Sequence, residues 1–257
     1  MVSAKDIRVA PITAANAVKV IRKFHYSGKV VQNSQLHFGV FLGKRLLGAM
    51  QFGPSMQKSG MIGLVKGTSW NGFLELNLMA FSGELPRFSE SRAIAVAFRL
   101  IKKHYPHVKW VVSFADGTQC GDGTIYRASG FELIGIKKNT TLLRLPDGRV
   151  VADISLNVML PEGKDAGAWK RAGAKPLPGF QLKYIKFVDQ TWRSKLSVKT
   201  LPFSAIKEAG AAMYKGLCVG SETSDTSVVQ TEKGGATPTS ALHIKAPSIK
   251  AERETGG

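Results

Sequence analysis

The sequence predicts an α/β fold in which a mixed central sheet is flanked by helices. Hydrophobic residues make up 44% of the 257 residues, which is typical of a globular protein. Apolar segments with the period of strands alternate along the chain with segments that have the period of helices. One amphipathic segment, 89–105, joins two apolar strand segments at 73–81 and 108–115. Because a helical crossover connects parallel strands, we expect these two strands to be parallel neighbours.

The amino-terminal part is predicted to begin with a short strand at 6–11 and a helix at 13–26. In the helix, the apolar residues that share one face include Ala17, Ile21 and Phe24, and Lys and Arg lie outside them. Two apolar runs at 36–53 predict a hairpin that turns at 43–45. The polar stretch 27–35 and the glycine-rich stretch 54–72 are predicted to be loops. The strand at 73–81 follows.

The central helix is predicted to start with Ser89 as its N-cap and to end before Pro106. The strand at 108–115 is the most apolar, as expected for the buried centre of a sheet. A short helix, a strand at 131–138 and a hairpin through 144–150 complete the pattern. This order is similar to that of the acyl-CoA-dependent N-acetyltransferase (GNAT) fold, in which the pyrophosphate of CoA binds at the amino terminus of the central helix.

The composition divides the chain into three predicted parts. Residues 1–160 are expected to form the catalytic domain, 161–215 a basic and aromatic extension packing on it, and 216–257 a disordered tail rich in Ser, Thr, Gly and Lys. Aromatic residues placed among Lys and Arg in 161–215 suit a groove that follows phosphates and stacks bases. The alternative, that these aromatics pack onto the core, has at least equal weight.

The charge of the chain points to a polyanionic partner. Lys and Arg number 36 against 18 Asp and Glu, which gives a net charge of +18. Nucleic acid is the commonest such partner, and a basic surface without a ligand is the alternative. A membrane is not expected, because no segment approaches the roughly 18 consecutive apolar residues that span one. The chain also lacks a signal peptide, so we expect it to be cytoplasmic.

The two cysteines, Cys120 and Cys218, exclude both a disulfide framework and a zinc ribbon.

The segment 113–131, "SFADGTQCGDGTIYRASGF", has the composition of a site. It places Asp116 where the central strand ends, and ligands of open α/β sheets bind at such edges. Tyr126 follows on the next helix, where acetyltransferases often carry a tyrosine acid. The alternatives are a turn residue for Asp116 and a packed aromatic for Tyr126.

Two further segments supply candidate residues. "FHYSGK" (24–29) carries His25, a base or metal ligand near neutral pH, and Tyr26, which can donate or accept a proton. The alternative for His25 is a histidine that the helix dipole favours at a helix carboxyl terminus. "RFSESRA" (87–93) occupies the expected phosphate position but lacks the glycines of the usual acetyltransferase loop. Ser91 and Arg92 are its candidates for holding phosphate, and a simple capping sequence with a surface arginine is the alternative.

Four segments together resemble the Mom family of phage proteins. They are "HYSGKVVQNSQLHFGVFLGKRLLGAMQFGPS" (25–55), "ELPRFSESRA" (84–93), "FADGTQCGDGTIYRASGF" (114–131) and "YIKFVDQTW" (184–192). The resemblance covers roughly residues 5–215. It implies an acetyltransferase-like fold and an enzyme that places a carbamoylmethyl (acetamido) group on N6 of adenine in double-stranded DNA, which shields phage DNA from host restriction.

The resemblance also implies roles for particular residues. The implied reactive residues are His25, Tyr26, Asp116 and Tyr126. Ser91 and Arg92 are implied to face acetyl-CoA. Iron, suggested for the family, would bind through His25, Tyr26 and Asp116. The strand at 73–81 departs from the family, since it has Leu78 where the family often has arginine.

Three functions remain as hypotheses from the sequence. The first is modification of adenine in DNA, with double-stranded DNA and acetyl-CoA as partners. The second is an ordinary acetyl-CoA-dependent N-acetyltransferase that acts on a protein or a small amine. The third is a nucleic-acid-binding module without catalysis. The sequence leaves open whether the chain forms a homodimer.

Overall fold

A computed structural model describes residues 2–118, 121–153, 156, 171, 173–214 and 217–218 of the chain. All of them belong to one compact unit, Met1–Ser221. Apart from 217–218, the segment predicted to be a disordered tail lies outside the described residues. None of the helices among the described residues is both long and apolar enough to cross a membrane.

The described residues contain five α-helices, two 3₁₀ helices and twelve strands. The helices are the 3₁₀ helix Ala4–Asp6, α1 (Ala14–Phe24), α2 (Lys58–Ile62), α3 (Ser89–His104), α4 (Thr124–Ala128), the 3₁₀ helix Gln190–Lys195 and α5 (Ser204–Glu208). The strands are β1 (Ile7–Pro11), β2 (Leu36–Leu42), β3 (Arg45–Gly53), β4 (Phe73–Phe81), β5 (Trp110–Gly117), β6 (Glu132–Lys138), β7 (Leu142–Arg144), β8 (Val150–Ala152), β9 (Lys175–Pro176), β10 (Phe180–Phe187), β11 (Met213–Tyr214) and β12 (Leu217–Cys218).

Seven strands form the central sheet in the order β1-β2-β3-β4-β5-β10-β6. Strands β4 and β5 are parallel, as the helical crossover between them predicts, and the other pairs are antiparallel. The predicted mixed sheet flanked by helices is therefore confirmed. Two small sheets, β8-β7-β9 and β11-β12, stand beside it.

Strand β10 comes from the segment predicted to be an extension and lies inside the central sheet. It pairs with β5 over eight residues on one side and with β6 on the other. The strand itself is predicted by the apolar alternation in "QLKYIKF", but its position between β5 and β6 is not. Part of the segment 161–215 is thus a strand of the central sheet.

Helices cover both faces of the central sheet. On one face, α3 packs on Leu74, Leu76 and Val111. On the opposite face, Phe73 and Trp110, which alternate with Leu74 and Val111, contact the residues of α2. Leu78 and Ala80 contact those of α1 on this same face, because the register of β4 shifts after Leu76. The second surface is called the α1–α2 face below.

Two local predictions differ from the structure. The stretch 54–72 contains the short helix α2, whose buried residue is Met61. A single buried residue gives no periodicity for the sequence to reveal. In α3, the N-cap is Phe88, which has a left-handed backbone with φ of 70°, and Ser89 is the first helical residue. Serine usually caps by accepting a hydrogen bond from the helix backbone, but the buried Ser89 hydroxyl has no hydrogen-bond partner in the described structure.

The parallel pair β4–β5 opens into a cleft. Pairing runs only from Phe73 with Trp110 to Glu75 with Val112, although both strands continue for several residues. Beyond that point the Ser113 hydroxyl donates to the Leu76 carbonyl at 3.1 Å. Backbone groups on the facing edges are therefore available to a ligand at the carboxyl ends of both strands, where α/β sheets bind their ligands.

Candidate active site

Asp116 and Tyr26 meet at the end of β5. The Tyr26 hydroxyl donates a hydrogen bond to Asp116 Oδ2 at 2.9 Å, across 90 residues of sequence. The Tyr26 side chain is 51% exposed, so this pair lies at the surface of the cleft. The other carboxylate oxygen, Oδ1, accepts from the Thr118 backbone N–H and hydroxyl at 3.0 and 2.5 Å. Asp116 is thus both a turn residue and a contact of Tyr26.

His25 lies beside this pair. Its backbone N–H donates to the Ile21 carbonyl, so His25 lies at the carboxyl end of α1, as the helix-end interpretation expected. Its ring centroid is 4.4 Å from that of Tyr26, and Nδ1 is 2.8 Å from the Ser27 hydroxyl. Burial lowers the pKa of the imidazole, and the negative charge of Asp116 partly opposes that shift. At neutral pH the ring is therefore mainly uncharged and able to accept a proton.

Tyr126 lies on the other face of β5. Its ring is buried on α4, and its hydroxyl donates to the Phe114 carbonyl at 3.5 Å. The ring of Tyr184, a residue of β10 that is fully buried, lies 5.3 Å away between centroids. Tyr126 is therefore the packed aromatic of the alternative interpretation, yet its hydroxyl reaches the backbone edge of the cleft.

Tyr184 supports this arrangement and was not recognised as a site residue from the sequence. Its hydroxyl donates to the Asp122 carbonyl, which fixes the loop before α4 to the sheet. Burial raises the pKa of this phenol, so it stays protonated and donates. Gly123, with φ of 85°, leaves room for the ring, because a Cβ there would lie 2.5 Å from it. In the sequence, the alternating aromatic residues of "KYIKF" were the indication that Tyr184 is buried.

The amino terminus of α3 places Ser91 and Arg92 away from these residues. The Ser91 hydroxyl donates to the Phe88 carbonyl at 3.1 Å. Arg92 is exposed, and its charge helps to lower the pKa of Asp6. No contact that the described structure records joins either residue to His25, Tyr26 or Asp116.

The donor set for iron is incomplete among the described residues. His25, Tyr26 and Asp116 do lie together, but no group of three or more His, Cys, Asp or Glu side chains that could hold a metal ion occurs in this part of the chain. These three residues supply one imidazole, one carboxylate and one phenol, and the phenol already donates a hydrogen bond to the carboxylate. They therefore do not form such a group. The predicted iron is unsupported, and no chemical step is derived through it.

Glu75, a second carboxylate on the α1–α2 face, was missed by the sequence interpretation. It ends the paired part of β4 and is hydrogen-bonded to the side chains of Ser55 and Asn77. Burial raises the pKa of its carboxyl group against the effect of those hydrogen bonds. A charged residue within the apolar run "FLELNLMAF" was the indication in the sequence.

The aromatic residues predicted to line a DNA groove fall into two groups. Tyr184 and Phe187 are buried in the core, and Phe180 and Trp192 are half-buried. For these four residues, packing is the main role. Phe203 is 41% exposed, and Trp169 lies outside the described residues.

Leu78, which stands where an arginine is often found in the family, packs against the core residues of α1. Its environment is apolar and gives this side chain no polar role.

Comparison with known proteins identifies relatives of this chain. The model of the Mom protein family matches residues 6–205. The methylcarbamoylase Mom of Escherichia phage Mu is 37% identical over 199 residues, which cover 76% of this chain and 81% of that protein.

Solved structures to which the chain is similar include several acetyltransferases. The acetyltransferase from Thermus thermophilus aligns with 72% of this chain and 99% of its own, with a TM-score of 0.38 and 12% identity. The ribosomal-protein-S18-alanine N-acetyltransferase from Escherichia coli aligns with 71% and 94%, with a TM-score of 0.39 and 9% identity. A Bacillus subtilis acetyltransferase in complex with CoA aligns with 70% and 97%, with a TM-score of 0.37 and 10% identity.

Proposed function

The chain belongs to the Mom protein family, and on that premise we propose that it modifies adenine in double-stranded DNA by placing a carbamoylmethyl group on N6. The relative in phage Mu is named a methylcarbamoylase. The product would protect phage DNA from restriction in the cytoplasm of the host bacterium.

The distribution of charge supports DNA as the substrate. Residues 7–74 contain nine Lys and Arg and no Asp or Glu. This segment supplies α1, the loop that carries Tyr26, and the loop that carries Ser55. The polypeptide around the cleft is therefore basic, and basic side chains bind the phosphates of a duplex through electrostatic attraction and counterion release.

The observation that carries the proposal is the contact between the Tyr26 hydroxyl and Asp116 Oδ2, with the His25 ring beside it. The lone pair of adenine N6 is conjugated with the ring and is a weak nucleophile. A base that removes an N6 proton restores nucleophilicity, and such catalysis requires a group within hydrogen-bond reach. Asp116 and the uncharged His25 are the two proton acceptors at this position, and Tyr26 connects the carboxylate to the substrate side.

Adenine must leave the base stack to reach this site. Although N6 faces the major groove, a cleft at the end of a sheet does not enclose a base that remains stacked. Enzymes that act on a base inside a duplex rotate it into a pocket and read it there. We therefore assign the cleft between the loop of Tyr26 and β5 to an extruded base.

The residues at the amino terminus of α3 suit the phosphates of acetyl-CoA. The first-turn N–H groups of α3 favour anions, and the buried Ser89 hydroxyl lacks a partner in the described structure. Ser89, Ser91 and Arg92 would hold the phosphates, and the separated edges of β4 and β5 would accept an extended arm. The bound thioester supplies an activated two-carbon group. Tyr126, whose hydroxyl reaches the β5 edge, would protonate a departing thiolate.

The product limits what acyl transfer can contribute. Acyl transfer joins N6 to a carbonyl carbon, whereas a carbamoylmethyl group is joined through its methylene carbon and contains an additional nitrogen. The complete reaction therefore requires a nitrogen-containing reactant or a second step. The roles proposed for the residues of this chain are binding, orientation, and proton transfer at N6 and at a departing thiolate.

Mass spectrometry of nucleosides tests the proposal. Plasmid DNA is isolated from bacteria that express the wild-type chain, Asp116→Asn or the control Glu208→Gln, in which an exposed residue of α5 changes. We expect deoxyadenosine with an acetamido increment from the wild type and the control, and at least about a hundredfold loss in Asp116→Asn, the lower end of the range for a general base.

Two outcomes would contradict the proposal. Unmodified DNA from folded wild-type protein would exclude adenine modification and lead to assays of acetyl-CoA with protein and small-amine acceptors. Undiminished modification by Asp116→Asn would retain the function but remove Asp116 from the proton transfer.

A further inference from the structure

The α1–α2 face has an opening over the middle of the central sheet. Helix α1 covers Ala80 and α2 covers Phe73 and Trp110. Between them, Phe114 and Asp116 keep partial exposure although they lie on a central strand. Side chains on inner strands of a sheet flanked by helices are normally covered on both faces. The partly exposed floor between α1 and α2 is called the sheet window below, and it consists of Glu75, Asn77, Phe114 and Asp116.

Strand geometry fixes the order of these side chains. Glu75 pairs with Val112, so Phe114 lies two residues farther along β5 and Asp116 two residues beyond it. Alternate residues of a strand share a face and are about 7 Å apart. The Phe114 ring therefore lies between two carboxyl groups, with Asp116 and Tyr26 at one end and Glu75 with Asn77 at the other.

We propose that the extruded adenine stacks on the ring of Phe114, with N6 directed to Asp116 and a ring nitrogen directed to Glu75 and Asn77. This inference rests on the proposed function and identifies the substrate pocket within it. Enzymes that extrude a base hold it by stacking on side chains and by hydrogen bonds to its edge. The sheet window supplies both kinds of contact.

The polar end of the sheet window is built from the sheet and two loops. Asn77 is the extra residue at the irregularity where β4 pairs with β3, which turns its side chain toward this face. The Ser34 hydroxyl donates to Asn77 Oδ1 at 3.1 Å, so the amide nitrogen of Asn77 is the group that donates to Glu75. These contacts hold the carboxyl group in place before any base binds.

The polarity of the two ends matches adenine. At the first end, the Asp116 carboxylate accepts from the N6 amino group. At the second end, the Glu75 carboxyl group would donate to an acceptor nitrogen of the ring when it carries a proton, and burial raises the pKa of this group, which is the direction that such a contact requires. Guanine has an oxygen where adenine has its amino group, so it would place an acceptor against Asp116.

A positive charge lies over one face of the Phe114 ring. The Lys183 ammonium group is 5.9 Å from the centroid of the Phe114 ring, on the neighbouring strand β10. Burial and the charge of Lys137 lower the pKa of Lys183. A bound phosphate would offset both effects, so this position suits the backbone of an extruded nucleotide.

The first test replaces the ring. Modified adenines are mapped with the wild-type protein, and duplexes that contain one mapped site are then used with Phe114→Leu, Phe114→Tyr and the control Phe41→Leu, in which a half-buried ring on β2 changes. We expect Phe114→Leu to slow modification roughly 5- to 150-fold, the range that stacking on an aromatic supports, without weakening binding of the duplex. Phe41→Leu should stay within about threefold of the wild type, whereas Phe114→Tyr, which keeps an aromatic ring, should lose less activity than Phe114→Leu.

The second test identifies the contact at Glu75. The mapped adenine is replaced by 1-deaza-, 3-deaza- or 7-deazaadenine, each of which lacks one acceptor nitrogen. We expect one analogue to slow the wild-type protein about tenfold, within the range for one buried hydrogen bond to a charged or polar group. In Glu75→Ala that analogue and adenine should react at equal rates, because the partner of the missing nitrogen is gone. A purely structural role for Glu75 would slow both substrates and leave their ratio unchanged.

The outcomes separate this inference from the function on which it rests. If the wild-type protein leaves adenine unmodified, both are wrong. If it modifies adenine and folded Phe114→Leu does so at the same rate, only the stacking site is wrong. If Phe114→Leu fails to fold, the decision rests on the deaza analogues, and an unchanged ratio in Glu75→Ala overturns the pocket.

Discussion

At the scale of single residues, the site depends on how Asp116 acts on two neighbours with different chemistry. It accepts a hydrogen bond from Tyr26 and raises the pKa of His25, which burial lowers by a larger amount. The two effects leave His25 with a pKa below its ordinary value of 6.5. The carboxylate thus orients one side chain and moderates the proton affinity of the other.

The pH dependence of His25 follows from these opposing effects. Because the folded-state pKa is lowered, the ring becomes protonated only as the pH falls below 6.5, and activity that needs a neutral imidazole should be lost in that window. In Asp116→Asn the opposing charge is absent, so the His25 pKa should fall further. Histidine titration by NMR measures it.

His37 is the internal control for that titration. Burial alone lowers its pKa, so its titration should be the same in the wild type and in Asp116→Asn. A His25 pKa that rises or does not change in the variant would contradict the proposed coupling to Asp116.

The site requires glycine at position 53, because there is no room for a side chain there. A Cβ there would lie 2.8 Å from the Asn33 carbonyl, Asn77 Oδ1 and the Ser34 Cα. Gly53→Ala should therefore displace the contacts that hold Asn77, lower the free energy of unfolding by about 1–3 kcal/mol, and reduce adenine modification. Urea unfolding measures the first effect and nucleoside mass spectrometry the second.

Gly60→Ala is the matched control. Gly60 lies in α2 with open space around its Cβ position, and alanine favours a helix over glycine by up to about 1 kcal/mol. This variant should be as stable as the wild type or more so. Equal destabilisation of both variants would show that crowding at Gly53 is not the cause.

At the scale of elements, the order and bounds of most helices and strands are predictable because each has its own periodicity. Strand β4 matches its predicted range, 73–81, and α3 differs only at its cap. The position of β10 within the sheet, by contrast, is not predictable from periodicity. Whether a late strand adds at an edge or between β5 and β6 depends on long-range pairing, which the alternation in Phe180–Phe187 does not encode.

The candidate site was likewise predictable in part: its residues could be recognised locally, but their contacts could not. Local composition indicated Asp116, His25 and Tyr26, since each lies at the end of an element. Their contact across 90 residues could be expected only from the family resemblance. Glu75 was missed because it lies inside an apolar strand, and its partners Ser55 and Asn77 become neighbours only when loops fold over the sheet.

The hydrogen bond that connects β10 to the loop before α4 gives a prediction at this scale. Tyr184→Phe removes the hydroxyl that donates to the Asp122 carbonyl and leaves that buried acceptor unpaired. The free energy of unfolding should fall by about 1–3 kcal/mol. Because Tyr184 packs on Tyr126, the rate of adenine modification should fall too. Urea unfolding and nucleoside analysis of the same preparation measure both.

Tyr26→Phe provides the contrast. Its ring is 51% exposed, so loss of the hydroxyl should change stability by no more than about 1 kcal/mol while modification falls strongly. A large loss of stability in Tyr26→Phe, or none in Tyr184→Phe, would contradict the division between a reactive tyrosine and a supporting one.

At the scale of the whole molecule, charge is distributed unevenly along the chain. The acid-free segment 7–74 forms strands β1–β3 and also both helices of the α1–α2 face, whereas α3 covers the other face. A net charge of +18 alone predicts attraction to DNA from any direction. The position of the acid-free segment instead predicts that the duplex binds across the face on which the cleft opens.

The salt dependence of DNA binding tests that orientation. Lys23 and Lys29 flank Tyr26 in sequence, and both are exposed. If both side chains contact phosphates, the double variant Lys23→Gln, Lys29→Gln should have a less steep dependence of the DNA association constant on salt. The magnitude of the slope of log K against log salt concentration should fall by about 0.9 for each contact, or roughly 1.8 in total. The matched pair Lys102→Gln with Lys103→Gln removes the same charge from α3 and should leave the slope nearly unchanged. Equal reductions from the two pairs, measured by fluorescence anisotropy of a labelled duplex, would mean that net charge and not the orientation of one face governs binding.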